Sequence, residues 1–195
     1  MMNKHIGKSY DKVDSKGILS GKPSYTGDFV PKDALVIKVL RSPHAQARIK
    51  SIDTSKAKLI PGVEAIFTHE DVPNTRFTLA GQTYPEPSAY DALILDPVVR
   101  YVGDEVALVV AKDEATALKA MPLIKVEYEV QKPVLDLRTA MDHETVVHQE
   151  DDILNHIPVG QDYKRNICVS YHKRVGDIEG ELAKCDYVVE GTYFD

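Results

Sequence analysis

Residues 40–53 read LRSPHAQARIKSID, and the fold depends on whether this stretch is a pocket or a corner. Arg41, His44 and Arg48 crowd a Ser-Pro step, a grouping able to bind an anion or a substrate. The flanks argue for a corner. Residues 34–42, ALVIKVLRS, are β-branched and apolar over a strand's length. Pro43 ends that run because proline cannot donate to a ladder. Strand character resumes in ARIKSID, so Arg41 and His44 are expected at a strand end, donating to loop carbonyls or a neighbouring carboxylate. Ser42 is a poor nucleophile candidate, since Pro43 keeps it in an extended segment with no exposing turn.

Working outward, TSKAKLI (54–60) predicts one or two helical turns, and Pro61-Gly62 punctuates before a strand in VEAIFT (63–68). HEDVPN (69–74) is turn-like, and residues 75–96 form a long loop rich in Pro and Gly. In VVRYVGDEVALVVA (98–111) two β-rich runs flank Gly103-Asp104, which predicts a bent strand or tight hairpin with a central, doubly buried second arm. Asp113 is placed to cap a helix over EATALKAM, with Ala117, Leu118 and Met121 facing the sheet and Pro122 stopping it. The alternating IKVEYEV (124–130) then predicts a strand and a βαβ crossover.

Residues 131–166 turn polar before NICVSYHKRVGD regains strand character, and Asp177 is expected to cap a helix in IEGELAKC. The run DYVVEGTYFD is strand-like to the last residue, which predicts an excised fragment. Residues 1–20 have no sustained periodicity and read as a mobile lead-in.

The chain has 195 residues, enough for one domain with an appendage. Its apolar runs, such as VALVVA (106–111), are far too short for a membrane span. The N-terminus has lysines but no apolar signal region, so the expected compartment is cytoplasmic. A net charge of -6 disfavours nucleic acid as a partner. Cys168 and Cys185, the only cysteines, fit no disulfide framework or CxxC metal pair and are expected to be small, partly buried hydrophobes.

Motifs for chemistry mostly fail their spacing tests. His143 and His148 stand five apart, and on a helix they would diverge by roughly 140° where zinc needs one face. Gly17 to Lys22 lacks the phosphate-loop spacing, and Pro23 stands where a magnesium-binding hydroxyl belongs. Gly176-Asp177-Ile178-Glu179-Gly180 lacks the dinucleotide pattern and reads as a helix cap. The acidic run Gln149-Glu150-Asp151-Asp152 reads as solvated charge, without the spaced ligands of a calcium loop. An autonomous hydrolase would rest only on scattered histidines and carboxylates.

The strings themselves form an ordered series. Gly21-Lys22 with Tyr25 and Asp28 is followed by Leu40-Arg41-Ser42-Pro43-His44-Ala45, Ala47-Arg48-Ile49 and Ser51-Ile52-Asp53. Then come Pro61-Gly62-Val63, Asp71-Val72-Pro73, Tyr101-Val102-Gly103, Val126-Glu127-Tyr128-Glu129 and Pro133-Val134-Leu135-Asp136. The tail adds Ala183-Lys184-Cys185-Asp186 and Val188-Val189-Glu190-Gly191-Thr192-Tyr193. The series resembles the opening of the large subunit of molybdenum hydroxylases, the xanthine dehydrogenase and aldehyde oxidase family. Gly27 stands where that family often has an acidic residue, Pro122 interrupts the usual crossover helix, and residues 145–165 carry no strong family signature.

The resemblance implies a mixed α/β (α+β) domain, the α/β hammerhead, with a mixed sheet and a crossover helix. It divides the chain into the lead-in 1–20, the hammerhead at 21–142, and a linker at 143–195 running into the following cofactor-binding region. In the parent enzyme a molybdenum-pterin centre hydroxylates purines, N-heterocycles or aldehydes with water's oxygen, and electrons leave through 2Fe-2S clusters toward FAD. The glutamate base and pterin-binding segments lie later in that subunit, so the resemblance places no catalytic, cofactor-binding or metal residue in this sequence. The expected partners are the remaining cofactor-binding domains and the iron-sulfur and FAD subunits or domains. The rival expectation is a free-standing small-ligand or regulatory module, with a pocket formed by the 73–97 loop, Arg41 and His44.

Overall fold

The computed structural model describes residues 6–22, 25–81 and 87–193. Met1 to His5 of the lead-in, Pro23 of the rejected phosphate loop, residues 82–86 of the long loop and the last two residues of the expected C-terminal strand lie outside them.

Strands β1 (Val36–Arg41) and β2 (Ala47–Asp53) leave the corner in between, as the position of Pro43 predicts. Strands β3 (Val63–Phe67), β4 (Val98–Val99), β5 (Glu105–Ala111) and β6 (Lys125–Val130) follow. The helices are α1 (Ser15–Leu19), α2 (Glu114–Ala120) and α3 (Ile178–Leu182). Two three-stranded sheets form, in the orders β1-β5-β3 and β4-β2-β6. β2 and β4 run antiparallel with Ala47 opposite Val99 and Arg48 opposite Val98.

This topology bears out the central β5 and corrects two expectations. β4 and β5 are not hairpin partners, because β4 pairs with β2 while β5 lies between β1 and β3. The β5-α2-β6 stretch is no crossover within one sheet, since β6 joins the other sheet. Local pattern fixes strand existence but not partner choice, which long-range packing decides.

The chain divides into two compact units. The first comprises residues 1–38, 53–66 and 108–125. Here Asp113 caps α2, its side chain accepting from the Thr116 N–H. Burial on α2 falls on Thr116, Ala117 and Ala120, while Leu118 is exposed, which moves the expected stripe round the helix. Pro122 ends α2 as a 3-10 turn over Met121–Leu123. The TSKAKLI turns are a single 3-10 turn, Ala57–Leu59. α1 gives the lead-in one helix, with no buried residue on it.

The second unit comprises residues 39–52, 67–107 and 126–195. Its core packs Ala47, Ile49, Val99 and Val106 with Leu40, Ile52, Val126 and Tyr128. β6 alternates as expected, Val126 and Tyr128 turning inward. Beyond Val130 the described chain has no strand: the NICVSYHKRVGD segment contributes only the Asp162–Ile167 bridge, and 186–193 is irregular. Tyr187, Val189 and Tyr193 there are exposed. β propensity alone does not make a strand, since a strand's N–H and C=O groups need a neighbour to pair with. Asp177 does cap α3, accepting from the Gly180 N–H.

Candidate functional site

The corner that opened the sequence is pinned to the turn before β5. Ser42 N–H donates to the Asp104 carbonyl at 2.8 Å, and Gly103 N–H donates to the Ser42 carbonyl at 2.8 Å. Gly103 has φ +100°, a conformation open to glycine and strained for other residues. Arg41 Nη1 donates to the Gly103 carbonyl and to Glu105 Oε1, each at 2.7 Å. Ser42 Oγ donates to the His44 carbonyl and accepts from the His44 N–H, at 3.1 and 3.0 Å. The His44 ring meets Tyr128 edge-on at 4.8 Å. The Arg41 guanidinium, the Ser42 hydroxyl and the Ser42 backbone thus bind the frame of the corner.

The charged site lies elsewhere in the same unit, and sequence reasoning missed it. Arg76 and Arg100 are nearly buried, with side chains 10% and 11% exposed. Arg100 Nη1 donates to Asp96 Oδ2 at 2.8 Å, and its Nη2 pairs with Glu150. Arg76 Nε donates to Asp152 Oδ1 at 2.8 Å, and its Nη1 donates to the Asp91 carbonyl at 2.8 Å. Asp96 first forms a local turn, accepting from the Val98 N–H at 2.8 Å, which orients its second oxygen toward Arg100. His148 completes the cluster, with Nε2 3.9 Å from Asp91 and Nδ1 3.5 Å from Glu150.

Glu150 corrects the reading of 149–152 as solvated charge: it is 17% exposed between two guanidinium groups. The rest of the run matches that reading better, since Asp151 is 91% exposed even though it pairs with Lys164. The only local hint was the spacing of Asp96, Arg100 and Asp104 around a glycine turn, and no sequence spacing ties that turn to residue 150. Burial pushes the His148 imidazole below its ordinary pKa, and Arg100 adds to the shift. Burial likewise raises the Asp104 carboxyl, although it accepts from two backbone N–H groups.

Clefts surround the cluster. One of about 500 Å³ is lined by Arg48, His69, Arg76, Asp96 and Glu150. Another of about 510 Å³ is mostly apolar, lined by Val134, Val159, Tyr163 and Val169 with His148 and Cys168. The first cleft draws Pro73, Arg76 and Asp96 from the 73–97 loop, whereas Arg41 and His44 line neither. His143 and His148 lie on no helix; His143 Nδ1 accepts from Thr145 N–H. Cys168 and Cys185 are both exposed rather than partly buried.

The donor set does not fit the cofactors of molybdenum hydroxylases. Two cysteines are too few for a 2Fe-2S cluster held by four thiolates. Among the described residues no three His, Cys, Asp or Glu side chains converge to hold a metal ion. The buried guanidinium groups that could grip a pterin phosphate already face carboxylates.

The family model for the aldehyde oxidase and xanthine dehydrogenase a/b hammerhead domain matches residues 20–132. The chain belongs to this family, and its mixed helix and strand content over two small sheets is that of the hammerhead. It is 41% identical to the probable hypoxanthine oxidase of Escherichia coli O157:H7, over 96% of this chain and 22% of that protein. It is 31% identical to the xanthine dehydrogenase molybdenum-binding subunit of the same organism, over 93% of this chain and 23% of that protein. The aldehyde oxidoreductase of Desulfovibrio gigas superposes with a TM-score of 0.61 at 30% identity, over 73% of this chain and 16% of that one. The chain therefore spans less than a quarter of these relatives. No helix among the described residues is long and apolar enough to cross a membrane.

Proposed function

We propose that this chain is the non-catalytic structural domain of a xanthine dehydrogenase-like molybdenum hydroxylase. The full enzyme would hydroxylate purines, N-heterocycles or aldehydes with oxygen from water, in the cytoplasm. One observation carries the reading: the buried charges of Arg76 and Arg100 are matched by Asp96, Glu150 and Asp152 of the same chain, so they fasten loops together. A charge already paired at hydrogen-bond distance is poorly placed to bind a substrate, because it must first be freed at the cost of an unpaired buried partner.

In this reading residues 21–142 form the packing domain, and 143–195 lead toward the cofactor-binding region. Its partners are the remaining domains of the large subunit and the iron-sulfur and FAD components. Similarity to a molybdenum-binding subunit and to a probable hypoxanthine oxidase supports it.

The test is elemental analysis of the 195-residue chain, purified from a host that makes the pterin cofactor and shown folded by circular dichroism. A folded chain without molybdenum is the expected result. Stoichiometric molybdenum would place cofactor ligands within this chain and overturn the proposal. The mostly apolar cleft of about 510 Å³ supports a second reading, a free-standing small-ligand module. A purine- or aldehyde-dependent rise in melting temperature would favour it.

A further inference from the structure

Six of the seven arginines in this chain pair with a carboxylate: Arg41, Arg76, Arg100, Arg138, Arg165 and Arg174. Arg48 meets none among the described residues. Its place is fixed all the same. Arg48 stands on β2 opposite Val98, and the neighbouring Ile49 N–H donates to the Pro97 carbonyl at 2.8 Å. Arg48, Pro97 and Val98 all line the cleft of about 500 Å³. We infer that this cleft binds a small organic monocarboxylate with an apolar, ring-sized body, its carboxylate seated on the Arg48 guanidinium.

The cleft supplies both halves of such a site. Pro73, Leu93, Pro97, Val98 and Val147 give it an apolar wall, and buried Leu95 lies among them. Ligand sites are mostly apolar clefts of about 300–1,000 Å³ with a few placed polar groups. The acids in this wall are already committed: Asp96 and Glu150 to Arg100, and Asp152 to Arg76. The spare oxygen of Glu150 lies 3.5 Å from His148 Nδ1. Arg48 stays uncommitted, and so does His69 Nδ1, a buried atom without a hydrogen-bond partner in the same cleft. Buried polar atoms are rarely left so, and an imidazole nitrogen carrying the proton can donate to the carboxylate that Arg48 holds. The turn carrying His69 is fixed beforehand, since Thr68 N–H and Oγ1 each donate to Asp71 Oδ2 at 2.8 Å.

The charges of the wall select a monoanion. A guanidinium fork matches the two oxygens of a carboxylate. A phosphate dianion would bring a second negative charge toward Asp96, Glu150 and Asp152, and like charges repel. All these residues belong to the second unit, so the site forms within one compact body. It is compatible with a structural domain, because holding a ligand requires no chemistry.

Titration of the whole chain with sodium benzoate at low salt, followed by nuclear magnetic resonance of the Arg48 Nε–H and the His69 ring, tests this. Both signals are expected to shift and saturate together. Arg48→Gln should weaken benzoate binding by about tenfold or more, as the loss of hydrogen bonds to a charged group does. Acetate, which lacks the ring, should bind about tenfold more weakly than benzoate. Inorganic phosphate at equal concentration should leave benzoate bound. Shifts that never saturate, equal affinity in Arg48→Gln, acetate binding as tightly as benzoate, or displacement by phosphate would each overturn the site. A capped glutamate, N-acetyl-glutamyl amide, binding as tightly as benzoate would assign the cleft to a partner's side chain and overturn the small-molecule reading. Arg48 is exposed on β2, so the glutamine variant should fold. Should it fail to, the wild-type acetate, phosphate and glutamate arms decide.

Discussion

The Arg100 guanidinium meets the Glu150 carboxylate where both side chains are largely withdrawn from water, 11% and 17% exposed. Removing one member of such a pair leaves the other charge buried and uncompensated. Glu150→Ala should therefore lower stability by about 2–3 kcal/mol, below the full buried-pair figure because some exposure remains. Glu144→Ala, which breaks a fully solvated pair with Lys132, should leave the urea midpoint where it was. Equal midpoints for the two variants would mean that the buried cluster holds nothing.

Val99 lies in the short strand β4 yet is completely buried, packed with Ala47, Ile49 and Val106. Deleting two methyl groups there removes transfer energy and opens a cavity, so Val99→Ala should cost about 2 kcal/mol. Exposed Val102, three residues on, is the control, and Val102→Ala should unfold at the wild-type urea concentration.

The two strands flanking Pro43, the Asp113 cap, the stop at Pro122 and the alternation of β6 were legible because each is local, written within a few residues. The β2-β4 pairing was not, since a two-residue strand carries too little pattern to announce a partner. Glu150 was hidden for a related reason: an acidic run on a polar segment reads as solvated unless the arginine that buries it is known, and Arg100 is fifty positions away in the sequence. The tail misled in the opposite direction, because Tyr187, Val188 and Val189 suit a strand but meet no neighbour among the described residues.

Asp104 and Glu105 are adjacent carboxyls pushed opposite ways. Burial raises Asp104 above its ordinary value. For Glu105 burial also raises, but hydrogen bonding from Arg41 and Tyr101 outweighs it and the net shift is down. Glu105 thus adds stability above about pH 4.5, lost as pH falls through its lower folded value. Asp104 does the reverse: its contribution is present below about pH 3.8 and is lost as pH rises through its higher folded value. Carboxyl carbon titration by nuclear magnetic resonance should show the opposed shifts, and Arg41→Gln should return Glu105 toward its ordinary value. The accompanying loss of stability should be only a few tenths of a kcal/mol, because the Arg41–Glu105 pair is more than a third exposed. A Glu105 midpoint unmoved by Arg41→Gln would show that the guanidinium does not govern it.

The thiols offer a check on the last third of the chain. Cys168 and Cys185 are both exposed, and the Cys185 thiol makes only a long contact, 3.4 Å, to the Glu181 carbonyl. Access is the first condition for thiol exchange, and neither cysteine sits in a core that would withhold it. Titration of the folded chain with an aromatic disulfide should therefore release two equivalents of reporter thiolate at similar rates, and adding denaturant should not raise that count. A thiol that reacts only after unfolding would place its segment under a covering surface. Trypsin cleavage beside Lys173 and Lys184 would then slow in parallel, since a segment shielded from a small reagent is shielded from a protease too.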